Sequence, residues 1–251
     1  MTRLVLVHGF TQTARSWDEL ARRMAGAGHE PLALDAPGHG AAAELDLDLV
    51  DGGAWLAATG GRATYVGYSM GGRLCLHAAL AAPDVVRGLV LVSATGGIED
   101  PLERDQRRRA DDALADRIER IGVPAFLDEW LAQPLFAGLD AAAAGRAERL
   151  QNTAAGLASS LRRAGTGTQA PLWDRLGGLD VPTLVVAGAL DPKFVALGQR
   201  LAATIPGAEL AVVDGAGHTV HLEQPDRFLD VLLPWLARHA DSPNPAASST
   251  P

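Results

Sequence analysis

The apolar positions of this chain fall into short runs separated by longer amphipathic stretches. The first run, residues 4–7, is continuously apolar, as expected of a strand buried on both faces of a parallel sheet. Strands are predicted over residues 4–7, 31–34, 63–66 and 85–92, and helices over residues 17–27, 46–58 and 72–82. This alternation of strands and helices predicts an α/β fold with a doubly wound, mostly parallel sheet.

The pattern changes after residue 98, where strand signals stop for about eighty residues. Helices are predicted there over residues 104–121, 124–133, 139–150 and 154–165. The strand pattern then returns over residues 181–187 and 209–213, with helices over residues 194–205 and 226–240. An all-helical segment between two halves of a parallel sheet is typical of a lid that excludes water and shapes a pocket.

These patterns predict the organisation of the whole chain. Residues 1–98 and 179–240 form the α/β core, and residues 99–178 form the helical lid. Residues 241–251 read S-P-N-P-A-A-S-S-T-P after Asp241 and are predicted to be disordered, because they hold too few apolar side chains to pack.

A candidate nucleophile lies between a predicted strand and a predicted helix. Residues Gly67 to Gly71 read G-Y-S-M-G, the G-x-S-x-G pattern of a nucleophile elbow in the context that the motif requires. The glycines keep Cβ atoms out of a crowded turn. Ser69 would stand at a helix N-terminus, where free N–H groups favour developing negative charge.

A candidate acid and a candidate base follow the two late strands. Asp191 and His218 complete the order Ser, Asp, His, and a shared edge of the sheet would bring them to Ser69. His218 would act as the base that activates the hydroxyl, and Asp191 would hold the tautomer of the imidazole. Other readings stay open: Asp191 as a turn residue before Pro192, His218 as a structural histidine, or a partner role for His221 or Asp214.

The loop after the first strand is a candidate oxyanion hole. It reads His8-Gly9-Phe10, and in the elbow mechanism one N–H comes from such a loop and one from the residue after the nucleophile. We therefore predict Phe10 and Met70 as the two donors. If the sequence lacked the candidate nucleophile Ser69, we would interpret this loop as a simple turn.

Composition excludes several classes of partner. The net charge is −8, and the one basic cluster, Arg107 to Arg109, lies among acidic residues, so we expect no nucleic-acid partner. No apolar run is long enough to span a bilayer. The first residues run directly into the first strand, so no signal peptide is predicted. We expect a cytoplasmic protein without membrane insertion, as a monomer or homodimer. Cys75 is the only cysteine, which excludes an intrachain disulfide, and is predicted to be a buried core thiol.

No metal and no cofactor are predicted. The seven histidines are scattered without the spacing of metal ligands. No phosphate loop is present, and no G-x-G-x-x-G follows a strand, so the sequence lacks a dinucleotide-binding fingerprint.

These motifs together resemble the α/β-hydrolase superfamily across nearly the whole chain. Within it, the chain resembles the MenH family of menaquinone-biosynthesis synthases, which are lyases that eliminate pyruvate. The features that carry this second resemblance are Gly72-Arg73-Leu74, Glu103 with Arg107-Arg108, residues 130–136 (W-L-A-Q-P-L-F), Arg149 with Asn152, residues 165–169 with Leu172-Trp173, and Asp191-Pro192-Lys193-Phe194.

The resemblance implies a cyclohexene substrate that carries several carboxylates. Arginine suits such a ligand, because its guanidinium forms bidentate, charge-assisted hydrogen bonds with carboxylates. We predict Arg73, one turn after the elbow, and Arg108 and Arg149 from the lid as substrate-binding residues, with Arg107 or Arg146 as alternatives. Trp130, Trp173 and Tyr68 are predicted to line the pocket, although aromatic residues in helices are also common in the core.

The resemblance also implies that Ser69, activated by His218, serves as a base or as its relay rather than forming an acyl-enzyme. One alternative is a serine hydrolase of esters or carbon–carbon bonds, because one fold and one triad host many reactions. Another is a non-catalytic binding protein on the same fold, which would be expected to have a damaged triad. Arginines that face the pocket would favour the lyase, whereas an apolar pocket would favour an esterase.

Overall fold

The computed structural model describes residues 1–239. The predicted disordered tail, residues 241–251, lies outside the described residues, as does residue 240. The strands are β1 (Arg3–Val7), β2 (Glu30–Leu34), β3 (Ala63–Tyr68), β4 (Val86–Val92), β5 (Thr183–Gly188) and β6 (Glu209–Val213). They form one sheet in the order β2-β1-β3-β4-β5-β6, and every neighbouring pair is parallel.

The helices of residues 1–239 lie mostly between consecutive strands. They are α1 (Asp18–Gly26), α2 (Leu49–Gly60), α3 (Met70–Ala81), α4 (Pro101–Leu131), α5 (Arg146–Arg149), α6 (Ala154–Ala164), α7 (Trp173–Leu176), α8 (Pro192–Thr204), α9 (Val220–Glu223) and α10 (Pro225–His239). Short 3₁₀ turns occur at Ala14–Trp17, Gly40–Ala42 and Pro134–Phe136.

Two apolar clusters cover the two faces of the sheet. On one face, α2, α3 and α8 contribute residues such as Leu56, Leu74 and Leu201. On the other face, α1 and α10 contribute residues such as Met24 and Trp235. The central strands are therefore buried on both sides, which explains why β1 reads as a continuous apolar run rather than an alternating one. The predicted doubly wound α/β fold is confirmed.

The segment between β4 and β5, residues 99–178, is helical and is called the helical insert below. Its apolar side chains form a third cluster in which α4 packs against α6, with Phe126 and Leu157 fully buried. Phe10, from the loop after β1, packs against this cluster as well. The insert is thus fixed over the carboxyl end of β1.

Helix α4 is interrupted where the sequence predicts a break between two helices. Gly122 has φ of 77°, outside the helical region, and Pro124 follows it. Glycine adopts this conformation at little cost, and proline cannot donate a helical hydrogen bond. The helix turns at this point, and its second part carries Phe126 and Trp130 back toward the loop after β1.

The helix predicted over residues 139–150 is mostly absent, and only α5 forms there. Asp140 uses its carboxylate to accept a hydrogen bond from Ala143 N at 2.7 Å, and Gly145 adopts a left-handed conformation with φ of 58°. Side-chain capping and the left-handed glycine stabilise turns at the expense of a continuous helix. Helix propensity alone therefore overestimated the length of helix in this segment.

Two predictions from composition have structural counterparts. Cys75 is fully buried in α3, and burial raises the pKa of its thiol. Among the described residues, none of the helices combines the length and the apolar character that crossing a membrane requires.

Candidate active site

Ser69 stands between β3 and α3 in a strained backbone conformation. Its φ is 51° and its ψ is −108°, which non-glycine residues rarely adopt. A Cβ at Gly67 would overlap the backbone of Gly71, and a Cβ at Gly71 would overlap the Val7 carbonyl. Only glycine therefore fits at either position. The sharp turn places the Ser69 hydroxyl at the N-terminus of α3, where strain of this kind marks a functional position.

His218 and Asp191 approach Ser69 from the ends of the two last strands. His218 Nε2 lies 3.3 Å from Ser69 Oγ, and His218 Nδ1 lies 3.0 Å from Asp191 Oδ2. The other oxygen of Asp191 accepts a hydrogen bond from Phe194 N at 3.3 Å. Burial opposes ionisation of Asp191, but the hydrogen bonds from His218 and Phe194 N hold its pKa below its ordinary value. In this arrangement His218 can accept the hydroxyl proton of Ser69, and Asp191 can stabilise the resulting imidazolium.

The alternatives of His221 and Asp214 are not supported by the geometry. The His221 ring stacks on Trp17, with ring centroids 4.3 Å apart, and is fully buried, and neither of its nitrogens has a hydrogen-bond partner in residues 1–239. The carboxylate that contacts His218 belongs to Asp191 rather than to Asp214.

Two residues that the sequence analysis missed fix the backbone around His218. The Glu223 carboxylate accepts hydrogen bonds from Gly217 N at 2.6 Å and from Thr219 N at 2.8 Å. Ser93, at the end of β4, donates its hydroxyl to the His218 carbonyl at 2.7 Å and itself has a positive φ of 49°. Neither residue belongs to a motif, so only the fold reveals their contact with the loop that carries His218.

A cavity of about 480 Å³ opens above Ser69, between the sheet edge and the helical insert. Its size suits a drug-sized ligand. The predicted site residues that line it are Phe10, Tyr68, Ser69, Met70, Arg73, Trp130, Arg149, Asp191 and His218. Arg107, Gln133 and Lys193 line it as well. The structure therefore brings the sequence-predicted site residues to a single cavity except for Arg108 and Trp173; Trp173 is buried in the core instead, and its Nε1 donates to Gly97 O at 2.9 Å.

Arg73 and Arg149 are the buried cations of this cavity, and Arg73 lies on the elbow helix. Arg73 Nη1 donates to Ala164 O at 2.8 Å and to Gln169 Oε1 at 3.4 Å. Arg149 Nε donates to Ala144 O at 2.7 Å. Burial lowers the pKa of each guanidinium to about 10, so both stay charged at neutral pH. Within residues 1–239, no carboxylate forms an ion pair with either of them.

The structure corrects the placement of Arg108. Its guanidinium bonds to Asp105 at 2.6 Å and lies 3.7 Å from Asp112, and the side chain points to solvent rather than into the cavity. Neighbouring residues on a helix point about 100° apart, so only one of Arg107 and Arg108 can face inward. Arg107 does so, and its Nε donates to the buried carboxylate of Asp111 at 2.8 Å.

The other arginine alternative, Arg146, bonds to the exposed Asp128 at 2.9 Å and lies outside the cavity. Lys193 is an additional cation at the cavity that the sequence analysis did not assign. It lies two residues after Asp191, in the segment that carried the family resemblance, and that proximity was the available signal.

Aromatic side chains form one wall of the cavity. The Trp130 ring lies 5.2 Å from the Phe10 ring and 5.8 Å from the Phe126 ring. Tyr68 Oη lies 3.0 Å from Thr219 Oγ1, and burial raises the pKa of Tyr68, so the phenol stays neutral. The cavity thus combines an apolar wall with fixed positive charge. Within residues 1–239, no three His, Cys, Asp or Glu side chains are grouped so that they could hold a metal ion.

The chain matches the model of the alpha/beta hydrolase family over residues 4–231. It therefore belongs to the alpha/beta hydrolase family, as the fold and the elbow indicate.

Similar proteins within this family include two that carry the name of one particular synthase. A protein of Salmonella schwarzengrund (strain CVM19633), named 2-succinyl-6-hydroxy-2,4-cyclohexadiene-1-carboxylate synthase, is 33% identical over 91% of this chain and 91% of its own. A protein of Bacillus subtilis (strain 168), to which the same name is given provisionally, is 36% identical over 93% of this chain and 89% of its own.

Solved structures agree with the sequence comparison. The structure of MenH from S. aureus is 30% identical, with a TM-score of 0.89 over 96% of this chain and 95% of that chain. A thermophilic esterase from Thermogutta terrifontis is 23% identical, with a TM-score of 0.78 over 95% of this chain and 91% of that chain, and supports the fold alone. The resemblance to the MenH family is confirmed.

Proposed function

We propose that this protein is a lyase of menaquinone biosynthesis. It eliminates pyruvate from 2-succinyl-5-enolpyruvyl-6-hydroxy-3-cyclohexene-1-carboxylate to give 2-succinyl-6-hydroxy-2,4-cyclohexadiene-1-carboxylate. The observation that carries the proposal is one cavity that holds Ser69, His218 and Asp191 beside two buried arginines without carboxylate partners in residues 1–239. The similarity to synthases of this name supports it.

Fixed positive charge is what distinguishes this cavity from an apolar acyl pocket. A buried guanidinium loses hydration, and a bound carboxylate compensates for the lost hydration through charge-assisted hydrogen bonds. Arg73 and Arg149 are already held by backbone carbonyls, so their forks are oriented before the substrate arrives. Arg107 and Lys193 add charge at the cavity and would bind further carboxylates of the same molecule.

In the proposed reaction, the triad moves a proton rather than forming an acyl-enzyme. His218 takes the hydroxyl proton of Ser69, and Ser69 Oγ removes a proton from a ring carbon of the substrate. The electron pair of the broken C2–H bond forms a C2=C3 double bond, the C3=C4 pair moves to C4=C5, and the C5–O bond to the enolpyruvyl group breaks as its oxygen takes the proton from His218. Enolpyruvate leaves and tautomerises to pyruvate. Asp191 keeps His218 oriented and stabilises its positive charge.

Charge that develops on the carbonyl oxygen of the succinyl group during removal of the C2 proton needs hydrogen-bond donors. The backbone N–H groups of Phe10 and Met70 are the proposed donors, and both residues line the cavity beside Ser69. Donors fixed before the reaction stabilise such charge without reorganisation at the moment of proton transfer. The helical insert acts as the lid in this proposal, and the substrate is a free small molecule in the cytoplasm.

The proposal is tested by incubating the protein with the substrate generated in situ and following product absorbance and released pyruvate. A p-nitrophenyl ester is assayed in parallel, and Ser69→Ala is the control for both reactions. We expect pyruvate release that is lost in Ser69→Ala and little ester turnover. Fast ester turnover without pyruvate would contradict the lyase and assign the triad to a hydrolase.

A further inference from the structure

Thr11, which follows the proposed oxyanion donor Phe10, has an unusual backbone conformation. Its φ is 67°, although its side chain is β-branched. For such a residue the left-handed region is a genuine outlier, and a conformation of this cost persists only where the surroundings enforce it. Gln12 N donates to Gly9 O at 3.1 Å, so Phe10 and Thr11 are the two central residues of one turn. Contacts that hold Thr11 therefore also hold the turn that carries the Phe10 N–H.

Every polar atom of Thr11 has a partner; one partner lies in the loop after β2, and the other two lie in the helical insert. Thr11 N donates to His39 Nε2 at 3.3 Å, and Thr11 O accepts from Asn152 Nδ2 at 2.7 Å. Thr11 Oγ1 accepts from Arg149 Nη1. His39 Nδ1 lies 3.0 Å from the Pro37 carbonyl, which leaves Nε2 as the acceptor for Thr11.

Asn152 connects three parts of the site through one side-chain amide. It is buried and lies two residues before the start of α6 in the helical insert. Its Oδ1 accepts from Gly40 N at 2.9 Å, and its Nδ2 donates to both Thr11 O and Arg149 O, the latter at 3.0 Å. Both partners of the nitrogen are carbonyls and the partner of the oxygen is an N–H, so only this orientation of the amide satisfies all three.

We propose that Asn152 is a positioning residue that holds Thr11 in its left-handed conformation and thereby aims the Phe10 N–H into the oxyanion hole. This inference rests on the proposed function for the identity of the reaction. It adds to that function by assigning the support of one oxyanion donor to a residue of the helical insert. Because Arg149 bonds to Thr11 and accepts from Asn152 through its own carbonyl, a carboxylate bound at Arg149 would engage the same network.

The first test separates kcat from KM in three variants. Asn152→Ala removes all three hydrogen bonds. Asn152→Asp keeps the size and the acceptor for Gly40 N but faces Thr11 O and Arg149 O with oxygen. Gln151→Ala is the matched control, since Gln151 is the exposed neighbour. Loss of one oxyanion donor costs roughly 10²–10³ in rate, and we expect partial misalignment to lower kcat about 10–100-fold, with KM changed less than about twofold.

The pH profile of Asn152→Asp gives a readout that space filling alone would not produce. A carboxylate that faces two carbonyls favours its protonated form, and protonation restores one donor. The kcat of this variant relative to the unchanged protein should therefore rise as the pH falls. A constant ratio at all pH values together with full activity of Asn152→Asp would overturn the proposal.

A probe of Ser69 keeps the inference independent of the substrate. A fluorophosphonate forms an Oγ–P bond and releases fluoride, and its phosphoryl oxygen needs the same oxyanion donors. Mass spectrometry would show Ser69 labelled about 10-fold or more slowly in Asn152→Ala than in Gln151→Ala, with thermal unfolding confirming that both are folded. Equal labelling rates would overturn the role of Asn152 and leave the proposed function intact. Labelling as expected without pyruvate release would instead overturn the lyase alone. No labelling of the unchanged protein would overturn both.

Discussion

The sheet edge and the helical insert contribute to the same cavity in different ways. Ser69, Asp191 and His218 follow β3, β5 and β6, and the parallel strands fix them at one edge. The insert contributes Arg107, Trp130 and Arg149 from helices whose rotation depends on packing against one another. The sheet therefore determines which chemistry is available, whereas the insert determines which molecule can use it.

The largest expected effect is on the sheet side. Ser69→Ala removes the group that lies 3.3 Å from His218 Nε2. We expect kcat for pyruvate release to fall by a factor of about 10³ or more, as for other members of such units. Circular dichroism and thermal unfolding serve as controls for folding. Retention of more than about a tenth of the rate would show that His218 acts without Ser69.

A matched pair of arginines tests the insert side. Arg107 lines the cavity, whereas Arg108 bonds to Asp105 and Asp112 at the surface. A charge-assisted hydrogen bond contributes roughly 1.5–3 kcal/mol, which is about 10–100-fold in affinity. We expect Arg107→Ala to lower kcat/KM by about 10-fold or more and Arg108→Ala to change it less than about twofold. Equal effects of the two changes would contradict the observed orientation of α4.

This pair also shows where sequence reasoning stops. Arg107 and Arg108 are adjacent, and the charge pattern alone does not say which one faces inward; only the packing of α4 on α6 does. The convergence of Ser69, Asp191 and His218 could be predicted because each lies in the loop at the carboxyl end of a parallel strand, and these ends share one edge of the sheet. Residues such as Glu223 and Ser93 could not, because they act on the His218 loop through backbone contacts that no motif records.

The next expected effect concerns that loop. Glu223→Gln keeps one of the two acceptor oxygens that hold Gly217 N and Thr219 N, so the loop carrying His218 loses one hydrogen bond. Displacement of the base should lower kcat about 3–10-fold, because geometry at the reacting atoms controls the rate, while KM stays unchanged. Steady-state kinetics measures this, with Arg227→Ala at an exposed nearby position as the control. An unchanged kcat would show that the position of His218 does not depend on this hydrogen bond.

The smallest expected effect is on stability and involves a histidine that the reaction does not use. Burial, with His218 and Arg149 nearby, lowers the pKa of His221 to about 3, and neither of its ring nitrogens has a hydrogen-bond partner in residues 1–239. In the unfolded chain a histidine takes up a proton near pH 6.5. Stability should therefore fall as the pH drops from about 6.5 toward 3, and buried His8 and His39 should add to this loss.

His221→Phe isolates this contribution. The phenyl ring can keep the stacking on Trp17 and removes two unpartnered nitrogens. We expect Tm at pH 7 to rise by about 2–4 °C, and the decrease in Tm between pH 7 and pH 5 to be smaller than in the unchanged protein. Differential scanning calorimetry at both pH values measures it. A parallel decrease in both proteins would show that His221 has a partner in solution.

The position of the insert between β4 and β5 also sets the order in which the site comes into existence during synthesis. A ribosome delivers β1 to β4 and the elbow first, then the whole insert, and only afterwards β5 and β6 with Asp191 and His218. The pairing of β4 with β5 must close a very long loop, and contacts of that kind form late. A nascent or truncated chain that ends before β5 therefore carries Ser69 without Asp191 and His218, and the proposed chemistry is withheld until β5, β6 and the loops that follow them have been made.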